Sequence, residues 1–258
     1  MKLRIPRLYA LGLFEDGPAR TSGVVAALFE IQKQATKFRS AVELMDHTWS
    51  MLGTVPRLPY PPADLRLYPA WLEHSAELTV LNRRYGDWNM LTAEAAAMTV
   101  FHFVKAVEAL KAAYATLPEL HDTLSAKDLK AAAGSGDRDF PGIVGIRDWI
   151  AHQAQVALDP AFKERRLSQG DFDTSAMSFR NVTDALIGPC LNERALEVVI
   201  AGKTVAIEIS EAMADKIDAI ASSIFDAMQP LTAATSRIAN QEAAERARRA
   251  SAAAKDQN

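Results

Sequence analysis

From Val24 to Trp49 apolar side chains return every three or four residues: Val24, Ala27, Leu28, Ile31, Ala35, Phe38, Val42, Met45 and Trp49. No other feature restricts the fold as much. At 3.6 residues per turn these side chains form one stripe along a helix of about seven turns, and such a stripe has to be covered by other helices. Ser22 is a candidate N-cap and Gly53 a candidate C′ residue, so a helix over 22–52 is expected. A second periodic run covers Thr92–Leu117, with Ala96, Val100, Phe103, Val104, Val107, Leu110 and Tyr114 as its stripe, Thr92 as cap and Pro118 as terminator. Met98, Phe101, His102, Lys105 and Glu108 form a flanking, half-apolar stripe suited to a second interface.

The rest of the chain fits around these two helices. Pro56, Pro59, Pro61, Pro62 and Pro69 exclude a regular helix over 54–69. Trp71–Arg84 is expected as a short helix closed by Arg83-Arg84-Tyr85-Gly86, with Glu73, His74 and Glu77 on a solvated face. Glu119–Ala133 is expected as another, with Ser125 as a cap, followed by a break at Gly134–Asp137. The last core helix starts after Ser210 and carries Met213, Ile217, Ile220, Ile224 and Met228 inward, with Pro230 kinking or restarting it.

One stretch has the period of strands. Leu196–Ile200 and Thr204–Ile209 are rich in β-branched residues and flank Ala201-Gly202-Lys203, which predicts a β-hairpin. Two strands alone are marginal, so the hairpin has to pack on the bundle or find a third strand. Residues 167–190 lack a clear pattern, and Ser178–Ile187 is open to a strand or a short helix. The expected fold is therefore mainly α, a helical bundle with a small appended β-hairpin at about 195–209. One domain over 1–230 would be followed by a projecting Ala/Arg-rich tail at 231–258. Residues 2–14 are expected to be extended or irregular, with a small basic cluster at Lys2, Arg4 and Arg7.

Composition removes several function classes. The formal charge of −3 means that any nucleic-acid contact needs a local basic patch. A single cysteine, Cys190, excludes an internal disulfide and suits a reducing compartment. No apolar run approaches the ~20 residues of a membrane span and no signal-peptide pattern opens the chain, so a cytoplasmic protein off the membrane is expected. There is no Cys/His cluster with zinc spacing, no phosphate-binding glycine loop and no nucleophile motif.

The stretch that carries chemistry is Phe140–Gln153, read as a short helix with Asp139 as N-cap and Pro141 in its first turn. Ile143, Ile146, Ile150 and Gln153 fall on one side of the wheel, with Trp149 close by, and are expected to be buried, whereas Arg147, Asp148 and His152 fall on the other. Asp148 and His152 are four apart and so share a face. An imidazole can move a proton near neutrality, a carboxylate can fix its tautomer, and a guanidinium binds phosphate and stabilises charge developing on it. These are the parts needed for metal-independent phosphodiester cleavage. Lys163, Arg165 and Arg166 follow closely and are candidates for holding RNA phosphates.

Arg147, polar Asp148 and then His152, with four residues between the arginine and the histidine, resemble the Arg-x(4–6)-His signature of the HEPN superfamily. The long helix preceding the motif helix is similar to the order in that family. Asp148 stands where asparagine is common and adds negative charge beside the arginine. The resemblance implies a helical, RNA-directed protein, a metal-independent endoribonuclease whose site forms at a homodimer interface. In it Arg147 clamps phosphate, Asp148 orients the imidazole and His152 is the general base. It implies no cofactor and no metal. The alternative is a non-catalytic helical scaffold or regulatory module that binds another protein and uses the same three residues structurally.

Overall fold

Helix α1 (Gly17–Thr54) realises the long periodic stripe and extends it by about a turn at its N-terminal end. This computed structural model describes residues 17–255 apart from Ser135, Arg165, Arg166, Ala176 and Ala201. The segment 2–14, with Lys2, Arg4 and Arg7, lies outside the described residues. After α1 come α2 (Tyr68–Ala115), α3 (Ala126–Ala132), α4 (Gly136–Asp139), α5 (Ile143–Ala151), α6 (Gln153–Leu158) and α7 (Pro160–Glu164). Five strands follow: β1 (Ser168–Asp173), β2 (Ser178–Ala185), β3 (Cys190–Asn192), β4 (Ala195–Ile200) and β5 (Lys203–Glu208). Helix α8 (Glu211–Lys255) closes the chain. The architecture is mainly helical with small antiparallel sheets appended.

The chain divides into two compact units, and α1, α2 and α8 contribute residues to both. The first comprises Met1–Thr36, His102–Asp139 and Asp215–Asn258. Its core joins Val24, Leu28 and Ile31 of α1 to Phe103, Leu110 and Tyr114 of α2 and to Ile217, Ile224 and Met228 of α8, all buried. Ser125 caps α3 as expected, its hydroxyl oxygen accepting from the Asp128 N–H at 3.1 Å. Pro230 lies inside α8 without ending it, between buried Met228 and Leu231. The segment Gly134–Asp137, expected as a plain break, contributes the start of α4.

The second unit comprises Lys37–Phe101 and Phe140–Ala214 and holds all five strands. Strands β3, β4 and β5 form an antiparallel sheet in that order, so the predicted hairpin has the third strand it needed. Leu196–Val199 of β4 are buried at four successive positions, as befits a strand covered on both faces. Buried Glu197 is satisfied by the Ser175 backbone N–H at 3.1 Å. A separate two-stranded sheet pairs β1 with β2, in the stretch that carried no clear sequence pattern. Its register shifts around Gly170, and Phe172 stacks on its cross-strand partner Phe179 at 4.8 Å. Arg194 binds this unit together: its Nε donates to the Ile209 carbonyl at 2.8 Å and its Nη1 pairs with Asp46 of α1. Ser210 caps α8 as expected, accepting from the Met213 N–H at 3.3 Å.

Helix α2 corrects the sequence reading. The stop at Arg83–Gly86 and the cap at Thr92 are absent, because the helix runs unbroken from Tyr68 to Ala115. One glycine inside a helix costs about 1 kcal/mol, which the tertiary contacts on either side of Gly86 outweigh. Leu78, Asn89, Thr92 and Ala93 are all buried along this stretch. Thr48 of α1 donates its hydroxyl proton to the Asn89 side-chain oxygen in that interior. By length and composition α2 could also cross a membrane, but half of its apolar stretch is buried inside the protein.

Candidate functional site

Helix α5 is set down on the β4–β5 hairpin by its apolar face. Ile143, Ile146 and Trp149 are buried, and the Trp149 indole N–H reaches the Val199 carbonyl at 3.4 Å. Two glycines permit the close approach. A Cβ on Gly142 would lie 2.2 Å from Val205 Cγ1, and one on Gly145 would lie 2.2 Å from Ile200 Cδ1. Gly142 also adopts φ 75° and is the N-cap, its carbonyl accepting from the Ile146 N–H at 3.1 Å. The expected start is therefore corrected: Asp139 ends α4 and Pro141 lies in the intervening turn. The αL conformation that turns the chain into α5 suits glycine rather than aspartate.

The helix also ends earlier than its pattern suggests. Ala151 is its last residue, and His152 is the C-cap with φ −118° and ψ 16°. The His152 N–H bonds to the Trp149 carbonyl at 3.3 Å, a tightened last turn, and α6 starts afresh at Gln153. His152 is thus half-buried at a junction between two helices and not one turn along a continuous helix from Asp148.

Arg147 reaches sideways to its sequence neighbour. Its Nη1 donates to Asp148 Oδ1 at 2.8 Å, with 36% and 40% of the two side chains exposed. Adjacent residues on a helix do not face each other, and only the length of the arginine makes this contact possible. Its guanidinium carbon lies 5.2 Å from the centroid of the Phe101 ring, a cation–π seat provided by α2. The Arg147 Nε is buried and donates to no acceptor among the described residues. One residue past His152, the Gln153 amide donates to Glu94 Oε1 of α2 at 2.7 Å. The motif is therefore flanked by α2 at both ends, through Phe101 and Glu94.

Of the predicted site residues, the structure brings Arg147 and Asp148 together and places His152 at the end of the same helix. Asp148 was expected to orient the imidazole, and the bond it makes here is to the guanidinium of Arg147. Lys163 lies in the short helix α7, whereas Arg165 and Arg166 lie outside the described residues. Sequence reasoning placed Phe101 on a flanking stripe but did not pair it with Arg147, and it put Gln153 on the buried stripe of the motif helix, where the structure has it exposed and bonded to Glu94. The half-apolar stripe Met98–Phe101–Lys105 was the only signal for Phe101.

Elsewhere, burial pushes the Cys190 thiol up from its ordinary range, with a smaller contribution from the Glu197 carboxylate. Among the described residues no group of three or more His, Cys, Asp or Glu side chains is arranged to hold a metal ion. Compared with protein-family models, curated proteins and solved structures, the chain matches none.

Proposed function

We propose that this chain is a HEPN-like, RNA-directed protein that cleaves RNA without a metal, as a homodimer in the cytoplasm. The observation that supports the reading best is the two-sidedness of α5. One face is buried and locked to β4 and β5, and the other carries Arg147 and Asp148 at half-exposed positions with His152 directly beyond. A site on a rigid element can hold a reacting group in a fixed place.

In this reading His152 takes the proton from a ribose 2′-hydroxyl. The oxygen attacks the adjacent phosphorus, the bond to the 5′-oxygen breaks, and that oxygen leaves as a hydroxyl after taking a proton. The products are a 2′,3′-cyclic phosphate and a 5′-hydroxyl end. Arg147, seated on Phe101, holds the phosphate and stabilises its growing negative charge. The Arg147–Asp148 pair gives Asp148 a role different from orienting the base: it holds the guanidinium until phosphate displaces it.

The alternative reading, a non-catalytic scaffold that binds a protein partner, has an observation of its own. Arg147 is already engaged by Asp148 and Phe101, which is what an arginine joining two helices would do. Incubating the folded protein with a mixed RNA pool in EDTA separates the two. The nuclease reading expects cleavage that depends on Arg147 and His152, and the scaffold reading expects none.

A further inference from the structure

Between α1 and α2 the chain crosses over through Pro56-Arg57-Leu58-Pro59-Tyr60-Pro61-Pro62, which belongs to no helix or strand. Proline fixes φ at about −65°, and a residue that precedes proline is held to extended backbone. The first restriction acts on Pro56, Pro59, Pro61 and Pro62, and the second on Val55, Leu58 and Tyr60. Within 56–62 only Arg57 is under neither. A run so constrained takes the polyproline II form, with three residues per turn and its backbone groups left to solvent. The hydrogen bonds agree. The Val55 N–H bonds back to the Leu52 carbonyl at 3.1 Å and the Leu67 N–H to the Asp64 carbonyl at 3.0 Å, and among the described residues no backbone-to-backbone bond involves 56–63.

The segment is nevertheless held in place. The Trp71 indole N–H, in the first turn of α2, donates to the Pro59 carbonyl at 3.0 Å, and Tyr68 stacks on Trp71 at 5.4 Å. At three residues per turn Pro56, Pro59 and Pro62 form one ridge, Leu58 and Pro61 a second, and Arg57 and Tyr60 a third. All four residues of the second and third ridges are exposed, Leu58 at 53% and Tyr60 at 94%. A crossover that only connected two helices would lay such side chains against its own unit. This one turns them outward.

We propose that residues 56–62 are a docking segment for a partner protein that presents an aromatic-lined groove with a carboxylate at its rim. Flat aromatic rings fit the pyrrolidine of Pro61 and the neighbouring Leu58, which is how polyproline II segments are recognised. The segment is extended before it binds, so docking orders little further chain. Arg57, exposed beside the apolar ridge, meets the carboxylate. An RNA strand would call for several cations, and 56–62 hold Arg57 alone. The inference does not rest on RNA cleavage, and a chain without nuclease activity leaves it intact.

Calorimetric titration of the full chain with a panel of recombinant SH3 domains, whose grooves are aromatic-lined with acidic rims, tests it. Saturable binding to at least one domain is expected, and an excess of that domain's own proline-rich peptide should displace the chain. Leu58→Ala and Pro61→Ala should each weaken binding about tenfold or more. Arg57→Glu should weaken it several-fold, by less at high salt. Leu91→Ala, at an exposed apolar position of α2 outside the segment, should leave it unchanged. Circular dichroism checks that the variants fold. A chain that binds none of the domains overturns the proposal. So does binding that survives Pro61→Ala or that Leu91→Ala weakens equally, or a segment that instead joins two copies of the chain, seen in sedimentation as a dimer that Pro61→Ala dissociates.

Discussion

Arg147 donates from Nη1 to Asp148 at 2.8 Å, so the arginine of the candidate site is held by its own sequence neighbour. In the proposed reading the carboxylate occupies a donor that an RNA phosphate would take. A half-exposed pair of this kind contributes about 0–1 kcal/mol. Asp148→Asn should therefore raise affinity for a short single-stranded RNA about two- to fivefold, as read by fluorescence anisotropy at constant salt. Unchanged or weaker binding would show that Asp148 does not compete with phosphate for Arg147.

Gly142 and Gly145 should not be equally sensitive to alanine. At Gly142 the added Cβ meets the stiff, branched Val205 and the backbone holds φ 75°. At Gly145 it meets only Cδ1 of Ile200, the far end of a flexible side chain. Gly142→Ala should cost about 2–4 kcal/mol and Gly145→Ala about 1 kcal/mol, read from urea midpoints at constant slope. Ile200→Val removes the clashing methyl, so the Gly145→Ala penalty should shrink in its presence. Equal penalties at the two glycines would mean that α5 does not approach β5 as closely as described.

The Thr48–Asn89 hydrogen bond joins α1 to α2 where both residues are buried. Thr48→Val leaves the Asn89 amide without this partner and should cost about 1–3 kcal/mol. Thr48→Val combined with Asn89→Leu should cost less than the sum of the two single changes, since neither buried group then lacks a mate. Strict additivity in that cycle would show that the bond carries no coupling.

Asn89 also explains what the sequence did not disclose. Arg83–Gly86 reads as a stop and Thr92 as a cap, and inward-facing Asn89 interrupts the apolar stripe between them, so α2 reads as two helices. The helix is continuous because the polar partner comes from α1, and no pattern local to α2 reports that. The β4–β5 hairpin was legible because β-branched residues and Gly202 act locally. Strands β1 and β2 were not, because Gly170 and the register shifts around it interrupt their alternation. At the candidate site, the buried face of α5 and the outward position of Arg147 and Asp148 followed from helical periodicity. The break at His152 and the Phe101 seat did not, because both depend on how α5 meets the rest of its unit.

Tyr114 gives a pH signature in the first unit. It is buried, its hydroxyl donates to the Leu120 and Leu124 carbonyls, and burial pushes its pKa up to about 12. The fold favours the neutral phenol, so this stabilisation is whole below the ordinary value near 10 and is lost as pH rises from there through about 12. Tyr114→Phe should lower stability at pH 8 by about 1 kcal/mol and make the fall between pH 10 and 12 shallower. An alkaline limb as steep in the variant as in the wild type would assign it to other groups.

In the proposed reading Arg147 and His152 cleave RNA without a metal. The most direct measurement compares wild type, Arg147→Ala and His152→Ala on a mixed RNA pool with EDTA present, with circular dichroism as the folding control. The wild type is expected to produce 2′,3′-cyclic phosphate ends, and either substitution to lower the rate at least about a hundredfold. A folded wild type that cleaves nothing, or cleavage that survives both substitutions, would contradict it.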